Sequence, residues 1–142
     1  MAELTYRDAV AAGIAQEMER DPLVVFLGED VAAAGGVFKA TVGLLDKFGP
    51  KRVRDCPISE QAILGAAMGA AMTGLRPIAE IMFSDFLAVC WDIVANEMAK
   101  MRYMTNGRSR CPWSSAPPTA PARASARSTR RRWRTGRWRF RD

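Results

Sequence analysis

Histidine is absent from these 142 residues. Its absence removes the commonest general base and the commonest metal ligand, so serine–histidine, cysteine–histidine and histidine-based zinc chemistry have no footing here. Cysteine is scarce: Cys56, Cys90 and Cys111 stand far apart with no CxxC spacing, which argues against a zinc knuckle and a disulfide framework. There is no GxGxxG, no P-loop and no Gly-Asp-Gly diphosphate motif, so a self-contained nucleotide enzyme is not indicated. The longest apolar run, residues 62–72, is too short to span a bilayer. The N-terminus enters an acidic amphipathic helix instead of a signal peptide. These absences predict a protein without a membrane span in a reducing compartment, the cytoplasm.

The net charge of +6 averages two unlike segments. Residues 1–107 hold 10 Lys/Arg against 14 Asp/Glu, a net of −4. Residues 108–142 hold 11 Arg against Asp142, a net of +10, and contain no Lys, Leu, Ile, Val or Met. A segment without aliphatic residues cannot offset its chain entropy by burial. The chain therefore divides into a globular body, 1–107, and an Arg/Pro/Ala/Ser-rich tail, 108–142, expected to be disordered.

The body alternates helical and strand patterns. Thr5 with Asp8 reads as an N-terminal cap, and Tyr6, Val10, Ile14 and Met18 form a helical stripe that Asp21-Pro22 ends. Leu23-Val24-Val25-Phe26-Leu27 is a continuous β-prone run, the pattern of a strand buried on both faces. Phe38, Val42, Leu45 and Phe48 predict a second helix closed by Gly49-Pro50. A strand over 52–56, a helix of small residues over 59–73, a strand over 77–83 and a long helix from Ser84 or Asp85 to about Met104 complete the series. This alternation predicts an α/β fold, a doubly wound parallel sheet with helices on both faces. Ligands in such sheets gather beyond the carboxyl ends of the strands.

Three stretches fall at those ends: Gly28-Glu29-Asp30, Ile58-Ser59-Glu60 and residues 82–86. They offer one site two carboxylates and an apolar, aromatic wall. Each has a plainer reading. An acid at a helix start, as Glu60 is, is favoured by the helix dipole by roughly 0.3–1 kcal/mol whatever its function. Glu29 fits a solvated loop, and Met82 and Phe86 fit a core.

Residues 3–107 resemble the start of the β subunit of the E1 component of 2-oxo acid dehydrogenases, with the pyruvate and acetoin dehydrogenase β chains nearest. The resemblance rests on Leu4-Thr5-Tyr6-Arg7-Asp8-Ala9, Gly28-Glu29-Asp30-Val31, Gly35-Gly36-Val37-Phe38, Arg54-Asp55-Cys56-Pro57-Ile58-Ser59-Glu60-Gln61 and Met82-Phe83-Ser84-Asp85-Phe86. It implies the thiamine diphosphate-binding fold, here an incomplete pyrimidine domain. It implies that Glu60 is the catalytic glutamate, hydrogen-bonded to N1′ of the aminopyrimidine and favouring the tautomer that takes the proton from thiazolium C2. It implies that Ile58, Met82 and Phe86 line the cofactor's pyrimidine pocket and that Glu29 lies near the same ring. This chain is expected to supply no metal ligand, because the diphosphate and its Mg²⁺ belong to the α subunit. The implied partners are an E1 α subunit, in an α₂β₂ heterotetramer, and a lipoyl-bearing E2 component. The implied reaction is oxidative decarboxylation of pyruvate or a related 2-oxo acid with acyl transfer to lipoamide. An acetoin dehydrogenase β subunit is the alternative.

The resemblance stops at Gly107, before the family's Gln-His-Ser-Gln stretch, so the isolated chain is expected to be inactive. The tail resembles GC-rich coding sequence read in the wrong frame. Permitted codons from Arg108 onward, regrouped by one base, spell Val-Glu-Val-Pro-Leu-Val-Val-Arg and, later, Gln-His-Ser-Gln. A reading from another class takes the tail at face value, as a non-catalytic basic segment that binds nucleic acid through its arginines with Trp113, Trp133 and Trp138. The frame reading accounts for the same composition, so no specific nucleic-acid partner is expected. A single-base deletion or a sequencing error near codon 108 accounts for the shifted frame; resequencing the source DNA there separates the two, an intact family-like frame being expected only for a sequencing error.

Overall fold

The computed structural model describes residues 4–109. The expectations for the tail, its disorder, its shifted frame and its three tryptophans, lie outside the described residues. The elements are α1 (Tyr6–Arg20), β1 (Val24–Gly28), α2 (Leu44–Phe48), β2 (Val53–Asp55), α3 (Glu60–Met72), β3 (Arg76–Ala79) and α4 (Ala99–Met104). Their order is the predicted alternation.

The predicted cap starts α1. The Asp8 amide donates to Thr5 Oγ1 at 3.2 Å, and the Thr5 hydroxyl donates to the Asp8 carboxylate at 2.6 Å. Ile14 and Met18 are buried, whereas Tyr6, at the start of the stripe, is exposed. Val10 is half-buried against the same core, so only the start of the helix stays outside it. Asp21 ends it, and its carboxylate accepts the Leu23 amide at 2.8 Å.

β1 is the central strand, parallel to both neighbours in the order β2-β1-β3. Phe26 pairs with Val53 on one side and with Ile78 on the other. Successive side chains of a strand point to opposite faces, and β1 buries both. Val24 and Phe26 pack with Ile14, Met18, Leu44 and Val53, the layer of α1 and α2. Leu27 packs with Ile63, Leu64, Ala67, Ala79 and Cys90, the layer of α3 and the helical segment after β3. This is the doubly wound α/β arrangement.

One cation ties the first layer together. The Arg52 guanidinium donates to the carbonyls of Met18 (2.7 Å), Asp21 (2.8 Å) and Val24 (2.8 and 3.0 Å). It also lies 5.2 Å over the Phe48 ring. Carbonyls at a helix C-terminus lack intrahelical donors, so Arg52 satisfies the end of α1 while joining it to β1. Arg76 at the start of β3 forms an ion pair with Asp21.

Three elements differ from expectation. The helix predicted from Phe38 to Phe48 is only α2, Leu44–Phe48. Gly35, Gly36, Lys39 and Gly43 all have positive φ, which breaks a right-handed helix. Thr41 Oγ1 instead donates to the buried Val31 carbonyl at 2.7 Å and closes a loop. The strand predicted to Phe83 ends at Ala79, opposite Leu27, and the Glu80 amide makes the last bond to β1, to the Leu27 carbonyl at 2.9 Å. The predicted long helix is broken. Ser84–Ala88 is a 3₁₀ turn, Ile93–Met98 has π-helical bonding, and α4 follows.

β1 is central, and β2 and β3 are the edges of the sheet among the described residues. Arg76 and Glu80 donate to Leu23 and Leu27, so Pro77, between alternate donors, turns its missing N–H toward the β3 edge, where proline is tolerated.

Gly28 is where the strand ends crowd. A Cβ there would lie 2.8 Å from Val31 Cγ1 and 2.9 Å from Glu80 Cβ, whereas at Gly13 nothing lies within 4 Å. Gly28→Ala is expected to destabilise the fold by about 1–3 kcal/mol through overpacking. Gly13→Ala should stabilise it by about 0.5–1 kcal/mol. Urea unfolding of both variants checks the contrast; equal midpoints would remove the crowding argument.

Candidate functional site

Because the three strands are parallel, their carboxyl ends lie along one edge of the sheet. Glu29 follows β1, Glu80 follows β3, and Glu60 is the first residue of α3, after the short loop from β2. Strand order reverses here: the chain passes from β1 to β2 on one side, then crosses to β3 on the other. The crevice at such a switch point is the usual ligand site of an open α/β sheet.

All three carboxylates are buried, Glu29 at 6%, Glu60 at 8% and Glu80 at 6% exposure. Acids are seldom buried unless paired, because desolvation penalises the charged form. Glu29 shows the consequence. Burial first, then the neighbouring charges of Glu60 and Asp30, push its pKa up, against a hydrogen bond from the Ser59 backbone. Its Oε1 is fully buried and has no hydrogen-bond partner among the described residues. Burial pushes both nearby thiols up as well, with the charge of Glu29 contributing at Cys56 and that of Glu60 at Cys90. Glu29, Cys56, Glu60 and Cys90 thus share one electrostatic neighbourhood.

Backbone bonds hold this edge. The Cys56 amide donates to the Gly28 carbonyl at 2.8 Å, and the Glu80 amide donates to Leu27. The Asp55 carboxylate accepts the Ala32 amide at 2.6 Å and anchors the loop after β1. The Cys90 thiol donates to the carbonyls of Leu87 (3.5 Å) and Phe86 (3.7 Å), tying the 3₁₀ turn to the α3 layer.

Of the residues singled out in the sequence, Glu29 and Glu60 are brought together. Met82 and Phe86 lie on the loop and turn after β3, half-buried and 44% exposed respectively. Ile58 is on the loop before α3 and is 84% exposed, so it closes nothing within this chain. Glu80 was missed because the run Ile78-Ala79-Glu80-Ile81-Met82 reads as a strand interior. The signal was there: an acid inside an apolar run at the end of a buried strand has to be accommodated. Phe83 was missed as well. Its ring makes edge-to-face contacts with Phe38 and Phe86, each with centroids 5.7 Å apart.

Among the described residues no three His, Cys, Asp or Glu side chains are grouped to hold a metal ion, and no helix is long and apolar enough to cross a membrane. A pocket lined by Ala32, Ala33, Leu45, Arg54 and Asp55 shares no residue with the carboxylates.

The chain is similar to known proteins over most of its length. It is 49% identical over 112 residues to the 2-oxoisovalerate dehydrogenase subunit beta of Bacillus subtilis, covering 79% of this chain and 34% of that one. It is 46% identical over 110 residues to the pyruvate dehydrogenase E1 component subunit beta of Rickettsia felis (78% and 34% covered). With the acetoin:2,6-dichlorophenolindophenol oxidoreductase subunit beta of Cupriavidus necator it shares 47% identity over 120 residues (78% and 35% covered). The chain thus spans about a third of the length of these curated relatives. The family described as "Transketolase, pyrimidine binding domain" matches residues 2–130. With a parallel sheet wound on both faces and paired carboxylates at its switch point, the chain belongs to the transketolase pyrimidine-binding-domain family.

Proposed function

We propose that this chain is the first part of the β subunit of a thiamine diphosphate-dependent 2-oxo acid dehydrogenase, and that its strand-end crevice holds the aminopyrimidine half of the cofactor. The observation that carries this reading is the buried, unpartnered Glu29 Oε1 beside Glu60 at the head of α3. A carboxylate accepts hydrogen bonds, so this pair fits a ring that presents N–H donors at its edge. The apolar and aromatic residues of the loop after β3, Met82 and Phe86, fit the flat faces of such a ring.

When bound, thiamine diphosphate supplies the carbanion chemistry by which a 2-oxo acid loses CO₂. The work of this chain is binding, orientation and proton control. Glu60, fixed on the first turn of a helix, would accept a hydrogen bond from the pyrimidine N1′ position and so favour a proton there. Glu29 would present its second oxygen to the same edge of the ring. Burial and the neighbouring carboxylates favour its neutral form relative to a free glutamate. Phe86 and Met82 exclude water from the ring face, which strengthens both hydrogen bonds. The diphosphate and Mg²⁺ would be held by an α subunit, since the sequence contains no phosphate-cradling motif. The substrate class is pyruvate or a related 2-oxo acid, with acetoin as the alternative. The partners are that α subunit, in an α₂β₂ assembly, and the lipoyl-bearing E2 component. The compartment is the cytoplasm.

Titration of the full chain, mixed with an α subunit, with thiamine diphosphate and Mg²⁺ tests the reading. Saturable binding is expected, weakened roughly 10- to 100-fold in Glu60→Gln through loss of a charged hydrogen bond. Absence of binding with the wild-type chain folded by circular dichroism would overturn it.

Glu29 also makes a pH prediction. Its pKa is raised in the folded state, so the folded chain binds the proton more tightly than the unfolded one. Its favourable contribution is complete below the ordinary glutamate pKa of about 4.3 and is lost as pH rises through the folded value. Glu29→Gln should therefore melt at a higher temperature than the wild type at pH 8, and the difference should vanish toward pH 4. Thermal unfolding across that range checks the sign; a difference that grows on acidification would contradict it.

A further inference from the structure

We infer that Phe83 is a positioning residue, the middle of a three-ring brace that joins the loop after β1 to the turn after β3 and fixes the Phe86 ring at the rim of the carboxylate crevice. The inference rests on the proposed cofactor role of that crevice only for its ligand; the brace itself stands on geometry.

Phe83 and Phe86 are three residues apart at the start of the 3₁₀ turn, and the Phe86 amide donates to the Phe83 carbonyl at 2.9 Å. A 3₁₀ helix has three residues per turn, so side chains at i and i+3 eclipse. The two rings meet edge to face at 88°, with centroids 5.7 Å apart. On its other side Phe83 meets Phe38 at 87° and the same spacing. Phe38 arrives from the loop that begins at Glu29 and turns at Gly36 and Lys39, both with positive φ. The Lys39 amide donates to the Gly36 carbonyl at 3.0 Å, and the Lys39 ammonium to the Ala34 carbonyl at 2.8 Å, so the turn that presents Phe38 is fixed by its own bonds. The brace therefore links the loop that begins at Glu29 to the turn carrying Phe86.

Burial alone does not account for this arrangement. Phe83 is 38% and Phe86 44% exposed, so neither ring is held as a core residue is. Two perpendicular edge-to-face contacts supply orientation where close packing is missing, since aromatic pairs favour this geometry beyond their buried area. The backbone side of the brace is anchored independently: Cys90, buried in the α3 layer, donates its thiol to the Phe86 carbonyl. The ring of Phe83 is then what determines where the Phe86 ring points.

The test compares Phe83→Leu, which keeps apolar bulk, with Phe83→Tyr, which keeps the ring. The full chain is labelled with 4-fluorophenylalanine and observed by fluorine NMR, each of the six phenylalanines being assigned by substitution. In Phe83→Leu the resonances of Phe38 and Phe86 should move toward the unfolded position and sharpen, while the core resonances of Phe26 and Phe48 stay in place and report the intact fold. In Phe83→Tyr, Phe38 and Phe86 should remain near their original positions. An unmoved Phe86 resonance in Phe83→Leu overturns the brace. With the α subunit added, thiamine diphosphate should bind Phe83→Leu about 3- to 10-fold more weakly than wild type, and Phe83→Tyr within about twofold. Equal affinity of Phe83→Leu and wild type overturns the positioning role. Absence of binding by the wild type would count against the cofactor reading alone, and the fluorine spectra would still decide the brace.

Discussion

The crevice depends on Glu29, a carboxylate buried at the end of β1. A buried polar atom without a hydrogen-bond partner costs on the order of 1–3 kcal/mol, and more when it is charged. Glu29 has such an oxygen, with Glu60 and Asp30 adding like charge. The rest of the domain holds this arrangement in place. Parallel pairing brings all three strand ends to one edge, and the Ser59 backbone supplies one compensating hydrogen bond. A ligand with N–H groups at the edge of a flat ring would supply the missing partner. The cofactor reading thus begins from an energetic deficit in the protein.

Supporting that deficit requires stiffness elsewhere, and the first layer provides it. Arg52 links the end of α1, the start of β1 and the Phe48 ring, while Arg76 binds Asp21 across to β3. These contacts lie at the amino ends of the strands, opposite the crevice. Stability is thereby concentrated at one edge of the sheet, leaving the other edge to carry unsatisfied chemistry. Gly28 marks the boundary between them. It lets Glu80 and Val31 approach the β1 backbone so closely that even a methyl group would clash.

Much of this was legible in the sequence because it is written locally. The continuous run ending at Leu27 encodes a strand buried on both faces, and the Thr5–Asp8 pair encodes the start of α1. Glu29 and Glu60 could be placed together once the strands were taken as parallel. What could not be read was tertiary. Phe38, Val42, Leu45 and Phe48 mimic a helical stripe, yet Lys39 and Gly43 adopt positive φ, which a hydrophobic pattern does not record. Phe86, Cys90 and Val94 repeat every four residues as an α-helix would. The contact of Phe83 with Phe86 goes instead with a tighter turn, and the helix resumes only past Cys90. Glu80 was hidden for a third reason: β3 ends at Ala79, inside an apolar run that reads as strand to Phe83.

The site accordingly has two kinds of support. Glu60 sits on a thirteen-residue helix packed on the sheet, and Glu80 takes its place from the last ladder bond of β3, so both carboxylates inherit the precision of regular elements. The aromatic wall has no such frame. Phe86 lies on a turn, Phe38 on a loop, and both rings are partly open to solvent. Groups on loops hold a productive geometry only when other contacts lock their rotamers. The perpendicular contacts through Phe83 occur where that lock is needed. If ring orientation were immaterial to ligand binding, a leucine of similar bulk would serve equally well at position 83. The difference between leucine and tyrosine there is therefore a direct measure of how far the crevice depends on a flat wall held at a fixed angle.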